Sequence, residues 1–262
     1  MPPRGDAGYW PALLSLLDFL LLFGAALLAG ATNALAGGGA IFTFPALIAV
    51  GVPPLAANIT NTVASCPGYV GGVWGQRRDL ADQSRRALWL VPAAVTGGVA
   101  GGVLLLRTPE ALFENFVPWL VIAACLLMAM QGRVRRLLNE RRRLIGLAGA
   151  LPPVLIAGIY GGYFGAGLSI MFLAVLGLAI DDSLTRLNAL KQLLSLAVNV
   201  AAALLFAGTA AVIWPAALVM AGGSLAGGVV GGRMASLIDP DRLRLIVIAV
   251  GIIVAAATAF WL

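Results

Sequence analysis

Histidine is absent from the 262 residues, cysteine occurs twice and lysine once. Without histidine or clustered thiols, a zinc, haem or iron–sulfur centre has no ligand set, and no cofactor is expected. Cys66 and Cys125 both lie in apolar runs, where lone thiols pack rather than form structural disulfides. Charged residues make up 11% of the chain, against about a quarter in a soluble domain. Asp18 is the one carboxylate inside an apolar run, beside the outer end of its segment. No acid–base pair or activated nucleophile can be assembled, so enzymatic chemistry is not expected. A core proton relay, which normally needs Asp, Glu or His, has no members either.

What is abundant is apolar surface and glycine: 61% hydrophobic residues and 33 glycines. That composition points to a bilayer rather than water as the main solvent. The net charge of +6 superficially suggests nucleic acid, but nearly all of it is arginine placed between apolar runs, where it acts as a topology signal. Nucleic acid is therefore not an expected partner; the lipid bilayer is.

The apolar runs are Leu13–Ala36, Ala40–Val50, Leu55–Trp74, Ala87–Leu106 and Val117–Met130, then Leu144–Tyr163, Leu168–Ile180, Leu184–Phe206, Trp214–Ala235 and Leu243–Leu262. Two of them, Ala40–Val50 and Leu168–Ile180, are too short to span a hydrocarbon core of about 30 Å, and each follows a glycine cluster. Ala34-Leu35-Ala36 resembles a signal-peptide cleavage site, but the basic region before it is thin and the run is long for a signal core. The first run is read as a membrane segment.

Arginines cluster at Arg77, Arg78, Arg85 and Arg86, at 133–143, and at Arg233, Arg242 and Arg244. The positive-inside rule makes all three regions cytoplasmic and puts both termini outside, provided Leu168–Ile180 counts as a crossing. The first half then starts outside and the second inside. An all-α polytopic membrane protein follows, built from two inverted repeats (1–132 and 144–262) of about five segments each, joined by a basic linker (133–143). Short, broken helices are expected at the glycine clusters. Gly37-Gly38-Gly39 matches Gly165-Ala166-Gly167, and Asn58 matches Asn188. Paired broken helices in inverted repeats are a common layout of secondary transporters, whose site lies where the repeats meet.

In the second half Asn188, Lys191, Gln192, Ser195 and Asn199 recur at helical spacing and form one polar stripe. Asn58, Asn61, Thr62, Ser65 and Tyr69 repeat that spacing 130 positions earlier. Facing stripes would line a polar cavity, whereas stripes turned to lipid would leave their amides unsatisfied. Lys191 lies about two turns into its run, where a lysine costs on the order of 2.5–3.5 kcal/mol. It is read as the fixed charge that attracts an anion; the alternatives are snorkelling to the interface or pairing with Asp181 or Asp182. Helices starting after Gly39 and Gly167 would present free N–H groups to an oxyanion, although glycines there also permit tight helix crossing. Thr32, Asn33, Tyr160 and Tyr163 sit just before the breaks as possible donors. The candidate binding residues are therefore Thr32, Asn33, Gly37, Gly38, Gly39, Asn58, Asn61, Thr62, Ser65, Tyr163, Gly165, Gly167, Asn188, Lys191, Gln192 and Ser195.

At these motifs the chain resembles the TauE/SafE family of sulfite and organosulfonate transporters. The likeness rests on Ala34 to Gly39, Pro45, Gly51-Val52-Pro53-Pro54, Ala57 to Thr62 and Arg77-Arg78, with Gly161 to Gly167 and Asn188-Ala189-Leu190-Lys191 in the second half. The resemblance implies a multi-span protein of the bacterial inner membrane that handles a small sulfur-containing anion, such as sulfite or an organosulfonate. An exporter fits the charge argument, because an anion leaving the cell runs down the inside-negative potential without a coupling proton. The rivals are a small-anion channel and a carrier of small carboxylates.

Overall fold

The computed structural model describes residues 14–35, 37–140, 145–209 and 211–234. The described residues form nine helices and no strand: α1 (Leu16–Leu35), α2 (Ala40–Ala49), α3 (Pro54–Gly75), α4 (Ser84–Arg107), α5 (Glu110–Glu140), α6 (Gly146–Tyr163), α7 (Leu168–Ala179), α8 (Leu184–Phe206) and α9 (Trp214–Met234). The predicted tenth run, Leu243–Leu262, and the residues Arg141, Arg142, Arg143, Arg242 and Arg244 lie outside the described residues.

Six of these helices, α1, α4, α5, α6, α8 and α9, are long and apolar enough to cross a membrane. α3 is long enough, about 33 Å at 1.5 Å per residue, but its run of buried polar residues lowers its mean hydropathy. α2 and α7, of 10 and 12 residues, reach only about halfway through a hydrocarbon core. The chain is a multi-pass membrane protein. α5 runs longer than its apolar core, so the basic stretch 133–143 is helical as far as Glu140. Hydropathy marks where lipid ends; nothing between Met130 and Glu140 stops a helix.

Local signals set the ends of the helices. Pro53 and Pro54 open α3, where proline's fixed φ suits the first helical position and its missing N–H costs nothing. Ser183 caps α8 by accepting from the Arg186 backbone N–H. Between α1 and α2 the chain turns through Gly37 (φ 92°) and Gly38 (φ 90°), and between α6 and α7 through Gly165 (φ 78°) and Gly167 (φ 84°). A side chain is strained at these angles, which is why each break is built of glycine.

The packing maps onto itself when α1, α2, α3 and α4 are exchanged with α6, α7, α8 and α9. α1 packs on α9 as α6 does on α4; α3 packs on α9 as α8 does on α4; and α3 and α8 pack on each other at the centre. The two outer seams are glycine-made. Gly97-Gly98 and Gly101-Gly102 of α4 have counterparts in Gly227-Gly228 and Gly231-Gly232 of α9, again 130 positions on. A Cβ on Gly101 would lie 2.0 Å from the Ile159 carbonyl oxygen of α6, and one on Gly227 2.0 Å from that of Leu27 in α1. Close backbone approach of this kind is the usual way helices associate where water supplies no hydrophobic drive. Large apolar side chains such as Leu16, Leu20, Trp119, Leu204 and Leu218 point outward, as a lipid-facing surface requires.

Candidate functional site

α3 and α8 bury their polar stripes between them. Asn58, Asn61, Thr62, Asn188, Lys191, Gln192, Ser195 and Asn199 are all buried, Lys191 completely (0% exposed), while Ser65 is half-buried. The helices run antiparallel, so the end of α3 meets the start of α8: Asn188 Nδ2 donates to Gln76 Oε1 at 2.8 Å.

A directional chain of hydrogen bonds holds the ammonium. Gln76 Nε2 donates to the Ala34 carbonyl at 3.2 Å, and Asn188 Nδ2 donates to the same carbonyl at 3.0 Å. With its nitrogen spent there and on Gln76, Asn188 must turn its Oδ1 the other way, where it accepts from Lys191 Nζ at 2.7 Å. Nζ also donates to the Asn33 carbonyl at 3.3 Å. The negative end of the α1 dipole thus faces a buried cation, a favourable arrangement. The alternative pairing with an aspartate is not the one adopted by Asp182, which instead binds Arg86 and, at 3.1 Å, Arg186.

The glycine breaks close on the same region from the other side. Gly37 packs so tightly on the start of α7 that a Cβ there would lie 2.7 Å from Ser169 Cβ. Ser169 Oγ sits 3.3 Å from Ser195 Oγ, one turn beyond Lys191. Asn33 Oδ1 accepts the Gly39 N–H at 2.7 Å, so the first break is tied down by its own asparagine. Gly38 lies against Met128 and Gly167 against Leu127, both on α5.

Several sequence expectations change at this level. Thr32 spends its hydroxyl on the Leu28 and Ala29 carbonyls of its own helix (2.6 and 3.1 Å), so it is not a free donor. Tyr163 contributes its backbone carbonyl, which accepts from Asn58 Nδ2 at 2.9 Å; its ring packs against Phe113 instead. Tyr160 donates to the Ala166 carbonyl at 2.6 Å, tying down the second break rather than facing a ligand. The amides at the helix starts are partly used: Ile41 and Phe42 donate back to Gly38 and Gly39, and Leu168, Ile170 and Met171 to Gly165 and Gly167. The stripes expected to line an open polar cavity are closed off from solvent in this structure. A cavity of about 10 Å³, room for about one water, lies elsewhere among apolar residues including Ile41, Phe44, Val121 and Phe164.

Gln76 and Ser169 were not among the expected site residues. Gln76 continues the α3 stripe five turns beyond Asn58, and following the 3.6-residue period past Tyr69 would have found it. Ser169 carried no such signal, because only the fold brings α7 to α8. Four buried polar atoms have no hydrogen-bond partner among the described residues: Asn58 Oδ1, Asn61 Oδ1, Gln192 Oε1 and Gln192 Nε2, the last pressed against Gly72.

At the arginine-rich end, the α3–α4 loop is stapled to the start of α8. Gln83 Nε2 donates to the Arg186 carbonyl at 3.0 Å, and Arg186 donates to the Ala81 carbonyl at 3.1 Å. Arg86 and Arg186 converge on Asp182. Partial burial pushes the Asp182 carboxyl up, but hydrogen bonds from Arg86, the Ser183 amide and Arg186 outweigh it and hold it below the usual carboxylate range.

Among the described residues the chain is all-helical, with a buried polar core and its one lysine on a helix of membrane-spanning length, features expected of a membrane transporter. The family described as "Sulfite exporter TauE/SafE" matches residues 22–258, and the chain belongs to that family. It is 28% identical over 247 residues to the "Probable membrane transporter protein YfcA" of Escherichia coli strain K12, covering 94% of this chain and 89% of that one. A "Probable membrane transporter protein" of Haemophilus influenzae is also 28% identical, covering 93% and 96% of the two chains. "Probable membrane transporter protein ORF9" of a Sinorhizobium species is 26% identical over 234 residues, covering 89% of each. No solved structure matches the chain.

Proposed function

We propose that this transporter is a secondary carrier that exports a small sulfur-containing anion, such as sulfite or an organosulfonate, across the bacterial inner membrane. Its two halves are inverted-topology repeats with both termini outside, and the anion binds where they meet. Lys191 supplies the charge, with Ser195, Ser169 and Tyr69 as hydroxyl donors. The exchange-symmetric packing, the arginine distribution and the family description support this reading. The observation that carries it is the Lys191 ammonium, wholly buried yet positioned by a dedicated chain of amides. A structural role alone gives no reason to bear the insertion cost of that charge.

The packed core is one closed state of a carrier. Opening toward the arginine-rich face requires the Asp182 staple to part, and a rearrangement on each cycle distinguishes a carrier from a pore. The test is a thermal-shift screen of the purified protein against sulfite, thiosulfate, sulfoacetate, taurine and small carboxylates. A bound ligand stabilises the form it binds. A sulfur anion should raise the melting temperature in the wild type and not in Lys191→Ala; an equal shift in the variant rejects the lysine's role. Trans-stimulated counterflow in vesicles supports a carrier, and single-channel conductance steps would make the protein a channel.

A further inference from the structure

The two halves treat the same position differently. At the C-terminal end of α1, the Asn33 carbonyl and Asn188 Oδ1 share the Lys191 ammonium. By the 130-residue offset of the stripes, the counterpart of Asn188 Oδ1 is Asn58 Oδ1 and the counterpart of the lysine is Asn61, while the 128-residue offset of the breaks sets Asn33 opposite Gly161 in the last turn of α6. Asn58 spends its nitrogen on the Tyr163 carbonyl, as Asn188 spends its own on that of Ala34. The Oδ1 that accepts an ammonium in one half therefore has no partner in the other, and Asn61 Oδ1, three residues on along the same helix, has none either. Asn58 is 1% and Asn61 4% exposed. Two buried acceptor oxygens without donors carry a real desolvation cost.

We propose that a monovalent cation of about sodium size binds here, held by Asn58 Oδ1 and Asn61 Oδ1 near the C-terminal end of α6. The chemistry selects the ligand. Carboxamide and carbonyl oxygens are acceptors, so they repel an anion and favour a hard cation. The negative end of the α6 dipole adds attraction, while the positive end of α3 lies beyond the first turn, over which its effect fades. The donor set is neutral, which suits a single charge; a divalent ion leaving water normally demands carboxylates. Helix ends and unwound backbone at a break are recognised positions for coupling ions. The lysine thus acts as a tethered counterpart of a mobile ion. The inference rests on the pairing of the two halves and not on the anion reading. Because α3 and α8 pack on each other, a cation on one and an anion on the other attract, so each raises the other's affinity.

The test uses the full-length protein in detergent, with no sulfur anion present. Its melting temperature is measured in sodium, potassium and N-methylglucamine gluconate at constant ionic strength. Sodium should raise it saturably, by roughly 5–10 °C at a hundredfold excess over Kd, relative to N-methylglucamine. Asn61→Ala should lose the sodium effect. Asn61→Lys, which installs the tethered ammonium, should make the melting temperature independent of the cation. Equal melting temperatures of the wild type in all three salts overturn the proposal, leaving water at these oxygens. A sodium shift that survives in both Asn61 variants also overturns it. Lys191→Ala should keep the sodium shift while losing any anion shift, so the two readings fail separately.

Discussion

The end of α1 and the end of α6 are built to the same plan, each a helix terminus followed by a glycine break and met by an asparagine from the opposite half. At the first, Gln76, Asn188 and Lys191 complete a closed set of hydrogen bonds. At the second, the equivalent asparagine makes one bond and stops. The backbone frame is shared, so the difference lies in a few side chains. One position, lysine in α8 against asparagine in α3, accounts for much of that difference.

Four experiments break or sharpen that comparison. The largest effect is expected in the seams that give both halves their common frame. Gly101→Ala puts a Cβ against the Ile159 backbone, which has no rotamer to yield, whereas at Gly102 the nearest atom is the end of the Leu205 side chain at 3.1 Å. Gly101→Ala should cost about 1–3 kcal/mol and Gly101→Leu should abolish folded protein, while Gly102→Ala stays near wild type; size-exclusion profiles and melting curves report this. Next, Lys191→Asn makes the two ends alike. Anion affinity should fall about 100-fold, as expected for losing a charged hydrogen bond in a dry site, without loss of folded protein. A titration of the purified variant measures it.

Gln76→Ala leaves the ammonium in place but frees Asn188 to turn. A loss of about 1–2 kcal/mol in stability and roughly tenfold in anion affinity is expected, with Gln76→Glu failing to restore either. Melting curves and ligand titrations on the same preparations separate the two. The smallest effect belongs to the staple outside the membrane core. Because the folded Asp182 carboxyl lies below its ordinary value of 3.8, its ion pairs contribute at neutral pH and lose that contribution as pH falls below 3.8. Asp182→Asn should lower stability by about 1 kcal/mol or less at pH 7 and remove this acid-dependent part. Melting temperature against pH for both proteins checks the sign.

Much of the architecture was legible as a one-dimensional pattern. The apolar run Leu184–Phe206 and α8 coincide to the residue, so hydropathy alone marks that helix. α5 was read short because its helix continues after its hydrophobicity ends. The polar stripes were legible because helical periodicity puts their members on one face whatever the tertiary fold. The fine structure of the site was not. Whether Tyr163 offers a hydroxyl or a carbonyl, and whether Thr32 keeps its proton for a ligand, depends on hydrogen bonds set by neighbours remote in sequence. The paired Gly-Gly steps of α4 and α9 were visible in the letters, but their meaning required knowing that each faces another backbone.

Those paired steps have a mechanical consequence. Where Gly97 and Gly101 meet α6, and Gly227 and Gly231 meet α1, main chain lies directly against main chain. At those points of contact there are no rotamers to reset, so a displacement along the seam there is opposed by backbone contact alone. The centre is held differently, by directional hydrogen bonds of the amide chain around the lysine, so the molecule is joined by direction inside and by proximity at its flanks.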